Sequence, residues 1–188
     1  MLLDKVIEEA KVTIISAIEG TEDIASSLRS SVKDLIVGTL KDAGEVTSTT
    51  IEVVAGVVKG ALIGVSEVGK TTVESTQTVV DTTVSAVFES GGDAFAAAEH
   101  AAAGAVKGTA ELGGDIGETA VCAVNGAVDA ARGIGLNVEE TTKAAIMGAV
   151  RAADAIGREV GNSVKDALRN AASLPRELVE SALKGEKA

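Results

Sequence analysis

The sequence predicts an all-α protein built from long helices. Three observations carry this: an internal repeat of 22 residues, a single Pro in a chain of 188, and glycines that recur at helical spacing. The repeat is plainest in the second half. Residues 104–125 read GAVKGTAELGGDIGETAVCAVN, 126–147 read GAVDAARGIGLNVEETTKAAIM, and 148–169 read GAVRAADAIGREVGNSVKDALR. It continues upstream through 56–77, 34–55 and 12–33, while the unit between 78 and 103 is four residues longer, at 26. A fixed period of this size marks a repeated structural unit.

Two columns define the unit. Its third residue is aliphatic and β-branched: Ile14, Ile36, Val58, Val80, Val106, Val128 and Val150. Its middle carries an acid before a small or aliphatic residue, at Asp23-Ile24, Glu45-Val46, Glu67-Val68, Asp93-Ala94, Asp115-Ile116 and Glu159-Val160, with Asn137 replacing the acid once. The period of 22 is a double hendecad. A hendecad fills three turns at about 3.67 residues per turn, so helices that hold it wind into a right-handed supercoil or run nearly straight. The expected architecture is an oligomeric, right-handed or straight coiled coil or tube. The four extra residues before Asp93 add about one turn and are read as a stutter in an unbroken helix. The rival reading ends one helix at Gly91-Gly92 and caps the next with Asp93.

Taken in order, residues 1–90 make an aliphatic stalk or tube region. Within it, IEVVAGVVKGALIGVSEVG at 51–69 is strongly apolar. Its charges at Glu52, Lys59 and Glu67 and its lack of an aromatic belt argue against a membrane span and for a helix buried by several partners. Residues 91–172 make an Ala/Gly-rich scaffold region. The stretch SLPREL ends the repeat: Ser173 suits a helix N-cap and Pro175 a first turn, with a short helix to about Lys184 occupying 173–188. Unbroken, the part before Pro175 would span roughly 260 Å.

Glycine governs how such helices would meet. The chain has 21 glycines. Each costs about 1 kcal/mol relative to Ala inside a helix, on the order of 15–20 kcal/mol if most are interior. Gly56, Gly60 and Gly64 recur every four residues, as do Gly104 and Gly108, and Gly113 and Gly117. A row of this kind lets another backbone approach closely, so these glycines are assigned to helix packing. The aliphatic column is assigned to a core or to an apolar lumen. Two Phe with no Tyr or Trp argue against a conventional compact core. Wide apolar faces favour a higher homo-oligomer, in which four or more helices could enclose a lumen.

The stretch GVSEVGKT at 64–71 fits the phosphate-binding pattern G-x-x-x-x-G-K-[ST]. A working phosphate loop lies between a buried strand and a helix. Here EVGKT at 67–71 is the counterpart of DIGET at 115–119, NVEET at 137–141 and EVGNS at 159–163, none with Lys in that place. No nucleotide site is expected, and Lys70 is read as a solvated side chain on a helix. His100 and Cys122 stand 22 residues apart and make no convincing dyad. Glu139-Glu140 reads as a solvated face, and GIGLNV at 133–138 only superficially suggests a glycine loop. No enzyme activity, metal or covalently bound cofactor is expected. The net charge of −11 argues against nucleic acid as partner. One Cys and a start, MLLDKVIEEAK, without a basic n-region point to the cytoplasm.

Two resemblances follow from these residues. The stretch GKTTVESTQTVVDTTVSAV, within residues 46–88, is similar to the eleven-residue repeats of perilipins and synucleins, which coat lipid, although those repeats are Lys-rich. That resemblance implies an alternative function, a lipid-surface coat that folds on lipid. The second is architectural: an aliphatic first half and an Ala/Gly-rich second half look like the scaffold or stalk subunit of the mycobacterial-type [NiFe] hydrogenase that oxidises atmospheric hydrogen. No motif residue carries over. This resemblance implies a tetrameric, non-enzymatic stalk, peripheral to the membrane at its N-terminal end. Larger enzyme subunits would dock on residues from about 93, and menaquinone or lipid would occupy the apolar lumen of residues 1–90.

Overall fold

The computed structural model of the chain describes residues 2–44 and 48–187, without the side chains of 48–50 and 186–187. Among the described residues there are nine helices: α1 Leu2–Ile18, α2 Ile24–Asp42, α3 Ser48–Glu67, α4 Thr72–Glu89, α5 Ala94–Leu112, α6 Ile116–Ile134, α7 Val138–Ile156, α8 Arg158–Asn170 and α9 Arg176–Lys187. The all-α expectation holds. The long helices do not: α1 to α7 are 17 to 20 residues each. The repeat of 22 is one helix plus its turn.

The turns explain why the helices stop. Gly20, Gly44, Gly69, Gly91, Gly113 and Gly135 all have φ between 69° and 82°, a left-handed conformation that carries no Cβ penalty at glycine. After four of them the next N–H reaches back to a carbonyl five residues earlier: Lys70 to Val65 (3.1 Å), Gly92 to Val87 (2.9 Å), Gly114 to Thr109 (3.1 Å) and Leu136 to Ala131 (2.9 Å). This bond is the signature of a Schellman ending. The following helix then begins on a capping side chain. Asp93 accepts from the N–H of Phe95 and Ala96, Asp115 from Glu118, and Asn137 from Glu140. Asp23 accepts from Ser26 in the same way. Each accepting oxygen satisfies helix N–H groups that have no intrahelical partner.

The capping geometry overturns the stutter. Gly69, Gly91, Gly113 and Gly135 keep the spacing of 22 without interruption, so no residues are inserted before Asp93. What moves is the aliphatic column, which stands 11 residues before the turn glycine in α3 and α4 but 7 before it in α5 and α6. The contact point has slid one helical turn. The hairpin reading of Gly91-Gly92 and Asp93 is the one realised, and it recurs along the chain. The middle column divides accordingly. Asp23, Asp93, Asp115 and Asn137 are N-caps, whereas Glu67 ends α3 and Glu159 lies in the first turn of α8. Glu45-Val46 falls outside the described residues. Downstream, Gly157 keeps the spacing but is extended (φ 171°), and α8 starts at once. Pro175, not Ser173, takes the position before α9, its carbonyl accepting from Leu178 and Val179.

The helices form two layers. α1, α3, α5, α7 and α9 pack in sequence in one, and α2, α4, α6 and α8 in the other, with each helix also touching the next in the chain. This is the architecture of helical-repeat stacks, in which each unit buries its apolar face on its neighbours. A single contiguous core runs through it, from Ala10, Ile14 and Leu28 to Leu168, Val179 and Leu183. The expectation of no compact core therefore fails. Alanines and β-branched residues replace aromatics because the helices sit close enough for small side chains to fill the space. The division at 90/91 falls in the α4–α5 turn and that at 172/173 in the α8–α9 turn, and the stack continues across both.

Candidate functional site

The phosphate-loop match is part of a helix–turn–helix. Gly64 to Glu67 end α3, Gly69 makes the left-handed turn (φ 79°), and Thr71 precedes α4. Lys70 lies in this turn rather than on a helix. Among the described residues there is no strand before it, so the backbone cradle that the pattern requires is missing. His100 lies in α5 and Cys122 in α6, both half-buried. Burial, with Glu118 nearby, pushes the Cys122 thiol above its ordinary pKa, which disfavours the thiolate. Glu139 pairs with Lys143 at 2.8 Å, and that hydrogen bond lowers its pKa. Among the described residues no group of three or more His, Cys, Asp or Glu is placed to hold a metal ion.

The glycine rows do mediate close packing, but within one chain. A Cβ added at Gly60 would strike the carbonyl of Ile7 in α1, and at Gly104 the carbonyl of Ala55 in α3. At Gly126 it would lie 2.5 Å from the carbonyl of Gln77 in α4, and at Gly148 it would strike that of Glu99 in α5. These four glycines belong to one repeat position, spaced by multiples of 22. At each, a helix rests directly on the backbone of the helix two before it. Gly56 and Gly64 meet α1, Gly108 meets Lys59, and Gly117 meets Ala167 of α8. Gly113 is the exception: it is a turn residue (φ 69°) with nothing within 4 Å of its Cβ position.

The aliphatic column is core. Ile14, Ile36, Val58, Val80, Val106 and Val150 are each no more than 1% exposed and pack in the chain's own interior. Val128 departs from the column and is half-buried. The six buried residues share one contiguous core within the chain. Polar rungs cross from each of α1 to α5 to the next helix in the same layer. They are Lys11–Glu67 (3.7 Å), Lys33–Glu89 (2.7 Å), Lys59–Glu111, Gln77–Asp129 (2.6 Å) and Glu99–Arg151 (2.5 Å). A hydrogen bond from Lys11 to Glu8 raises the lysine's pKa, with Glu67 adding to the effect. Asp81 on α4 is shifted upward, first by burial and then by the like charge of Asp129.

A cleft with a mixed apolar and charged lining lies at the N-terminal end of the described residues. It has a volume of about 620 Å³ and lies between the first half of α1 and the second half of α2, with Val53 of α3 contributing to its wall. Leu2 and Val6 line it from α1, and Leu35 and Gly38 from α2. None of these residues was singled out by the repeat, because a period reports what the units share and this cleft exists where the stack begins. Nothing in the sequence set Gly38 apart, since Gly126, Gly133 and Gly148 are also helical glycines outside the glycine rows. Among the described residues no helix is long and apolar enough to cross a membrane. No protein-family model matches the chain, and no curated protein matches it either.

Proposed function

We propose that this chain is a non-catalytic scaffold on which other protein subunits assemble. The observation that supports it best is the stack. Helices α1 to α7 have near-equal length, α3 to α7 are joined by turns built on a left-handed glycine, and the helices stack in two layers. Such arrays suit the binding of large partners along their length. In the finer form of the proposal the partners are hydrogenase subunits of the kind the resemblance implies, docked from α5 onward. The N-terminal end then faces the membrane and its menaquinone, an orientation supported by the exposure of Leu2 (64%), Leu3 (47%) and Val12 (52%). The glycine rows are already engaged inside the chain, so a homotetramer would use other surfaces. A lipid coat needs free apolar helix faces, and here those faces cover one another, which favours the scaffold.

Native mass spectrometry of the particle carrying this chain in its source cells tests the proposal. A particle containing larger subunits at fixed stoichiometry is expected, and an isolated chain would overturn it. Reduction of a menaquinone analogue by the particle on addition of hydrogen is expected from the finer form. Larger subunits without that activity would leave only the scaffold.

A further inference from the structure

The stack begins differently from the way it continues. α5, α6 and α7 press Gly104, Gly126 and Gly148 onto the helix two before. α4, which rests on α2, has Thr82 at that repeat position. A β-branched side chain cannot lie flat on a backbone as glycine does, so α2 lacks this close seat. Between α1 and α2 lies the cleft of about 620 Å³.

Three features of the cleft bear on its occupant. Leu2 and Val6 on α1, Leu35 on α2 and Val53 on α3 give it an apolar patch, with Thr13 and Thr39 beside it. Gly38 opens into it, and a Cβ there would meet nothing within 4 Å. Glycines at the shared repeat position of α3 and α5 to α7 receive a neighbouring helix, whereas Gly133 of α6, like Gly38, has nothing within 4 Å of its Cβ position. A glycine in mid-helix costs about 1 kcal/mol relative to Ala; Gly38 carries that cost with no neighbour in the described structure. Finally, Glu9, Asp34 and Asp42 stand along the lips, with Lys5 the one base among the described lining residues.

The geometry points to this cleft as a docking groove for an amphipathic helix of a partner protein, one whose apolar ridge is flanked by lysines or arginines. The ridge takes the leucine and valine patch, the helix backbone passes over Gly38, and the flanking bases meet Glu9, Asp34 and Asp42. A helix in a groove is a common mode of recognition, read from anchors at helical spacing. A second copy of this chain fits less well, since it brings a net charge of −11 to acidic lips. The inference rests on the scaffold reading and names one of its contacts.

The test uses the full chain and synthetic peptides of about four helical turns. One has a leucine ridge with lysine flanks, a second has glutamate flanks, and a third is a scramble of the first. Fluorescence anisotropy should show saturable, equimolar binding of the lysine-flanked peptide, at least about tenfold tighter than either control. Asp34→Lys with Asp42→Lys should weaken it by a similar factor. Gly38→Leu should abolish it while leaving helicity and thermal melting intact, because leucine is the better helix former and the site has space. The proposal is overturned by absence of saturable binding, by equal binding of the glutamate peptide or the scramble, or by binding that survives Gly38→Leu. It is also overturned if decyl-naphthoquinone, and not the peptide, binds in a Gly38-dependent way, since the cleft would then take a small apolar ligand. Failure here with an intact multi-subunit native particle removes the groove and leaves the scaffold. An isolated chain in the native particle removes the scaffold itself.

Discussion

Helices α1 to α4 and helices α5 to α7 fill the same two-layer plan with different material. The first set buries Ile14, Ile18, Leu28, Val32, Ile36, Val54 and Leu62. The second buries mainly Ala97, Ala101, Ala105, Ala123, Ala127 and Ala149, with Val106, Val124, Val150 and Ile146 as its larger fully buried side chains. In α5 to α7 the glycine at the shared repeat position brings backbones into contact, so alanines suffice to fill what remains. In α1 to α4 larger side chains hold the helices together, and only α3 has the glycine seat. The contrast separates two sources of cohesion, the area of large apolar side chains and the dispersion of closely apposed backbones. Helix α2 relies on the first source alone, burying Leu28, Val32, Ile36 and Leu40.

The comparison breaks most visibly under opposite substitutions. Leu28→Ala in the aliphatic part should cost about 2–5 kcal/mol, the range for a buried leucine whose surroundings cannot collapse. Gly148→Leu in the close-packed part should cost at least as much, above the ~3 kcal/mol usual for overpacking, because the added Cβ strikes the Glu99 carbonyl and not a yielding side chain. Leucine is otherwise the better helix former. Gly133→Ala is the control: it is helical, nothing lies within 4 Å of its Cβ position, and it should gain up to about 1 kcal/mol. Denaturant melts of the three variants check the order. A Gly148→Leu protein as stable as wild type would remove the backbone-contact account.

The comparison also shows what could be read from the sequence. The repeat, the helical class, the aliphatic core column and the packing role of Gly60, Gly104 and Gly108 were all legible, because each depends on spacing within a helix. Whether the helix continues through each repeat was not. Eleven-residue periodicity and a helix of about 19 residues with a three-residue turn both return at 22, so the period alone fits either. The deciding residues were present, as Gly91, Gly113 and Gly135 each stand two before Asp93, Asp115 and Asn137. Reading Gly113 as a packing position concealed its turn, and the helix ending offered at Gly91-Gly92 was not extended to the other repeats. Whether a glycine row meets another chain or a later helix of the same chain is likewise invisible in spacing. The cleft could not be found from a period at all.

A smaller effect sharpens the turn pattern that the two regions share. Thr71 precedes α4 in the place held by Asp93, Asp115 and Asn137 in the next three helices, yet its side chain makes no capping bond. Thr71→Asp should supply that bond and stabilise by roughly 0.5–1 kcal/mol. Asp115→Ala should cost about 1 kcal/mol, since its oxygen holds the Glu118 N–H at 2.9 Å. If thermal melting shows no gain for Thr71→Asp while Asp115→Ala behaves as stated, the α3–α4 turn differs from the later ones.

The smallest effect concerns a side contact where the regions meet. Across α5 and α7 the side groups have opposite sign, as Glu99 and Arg151, but across α4 and α6 Asp81 faces the like charge of Asp129. Burial and that repulsion raise the Asp81 pKa in the folded chain, with Arg29 and the Ser85 hydroxyl opposing them. Below the ordinary carboxylate range Asp81 is protonated in both folded and unfolded chains and contributes nothing to pH dependence. As pH rises from the ordinary value to the raised one, the unfolded chain ionises first, so native stability falls. The penalty is complete above the raised value. Asp81→Asn should therefore stabilise the protein at pH 7, and the gain should disappear at pH 3. It keeps an acceptor for Ser85 and removes the charge. Paired urea melts at the two pH values measure this. A gain that persists at pH 3 would assign the effect to packing, and a loss at pH 7 would mean that attraction to Arg29 outweighs burial and Asp129.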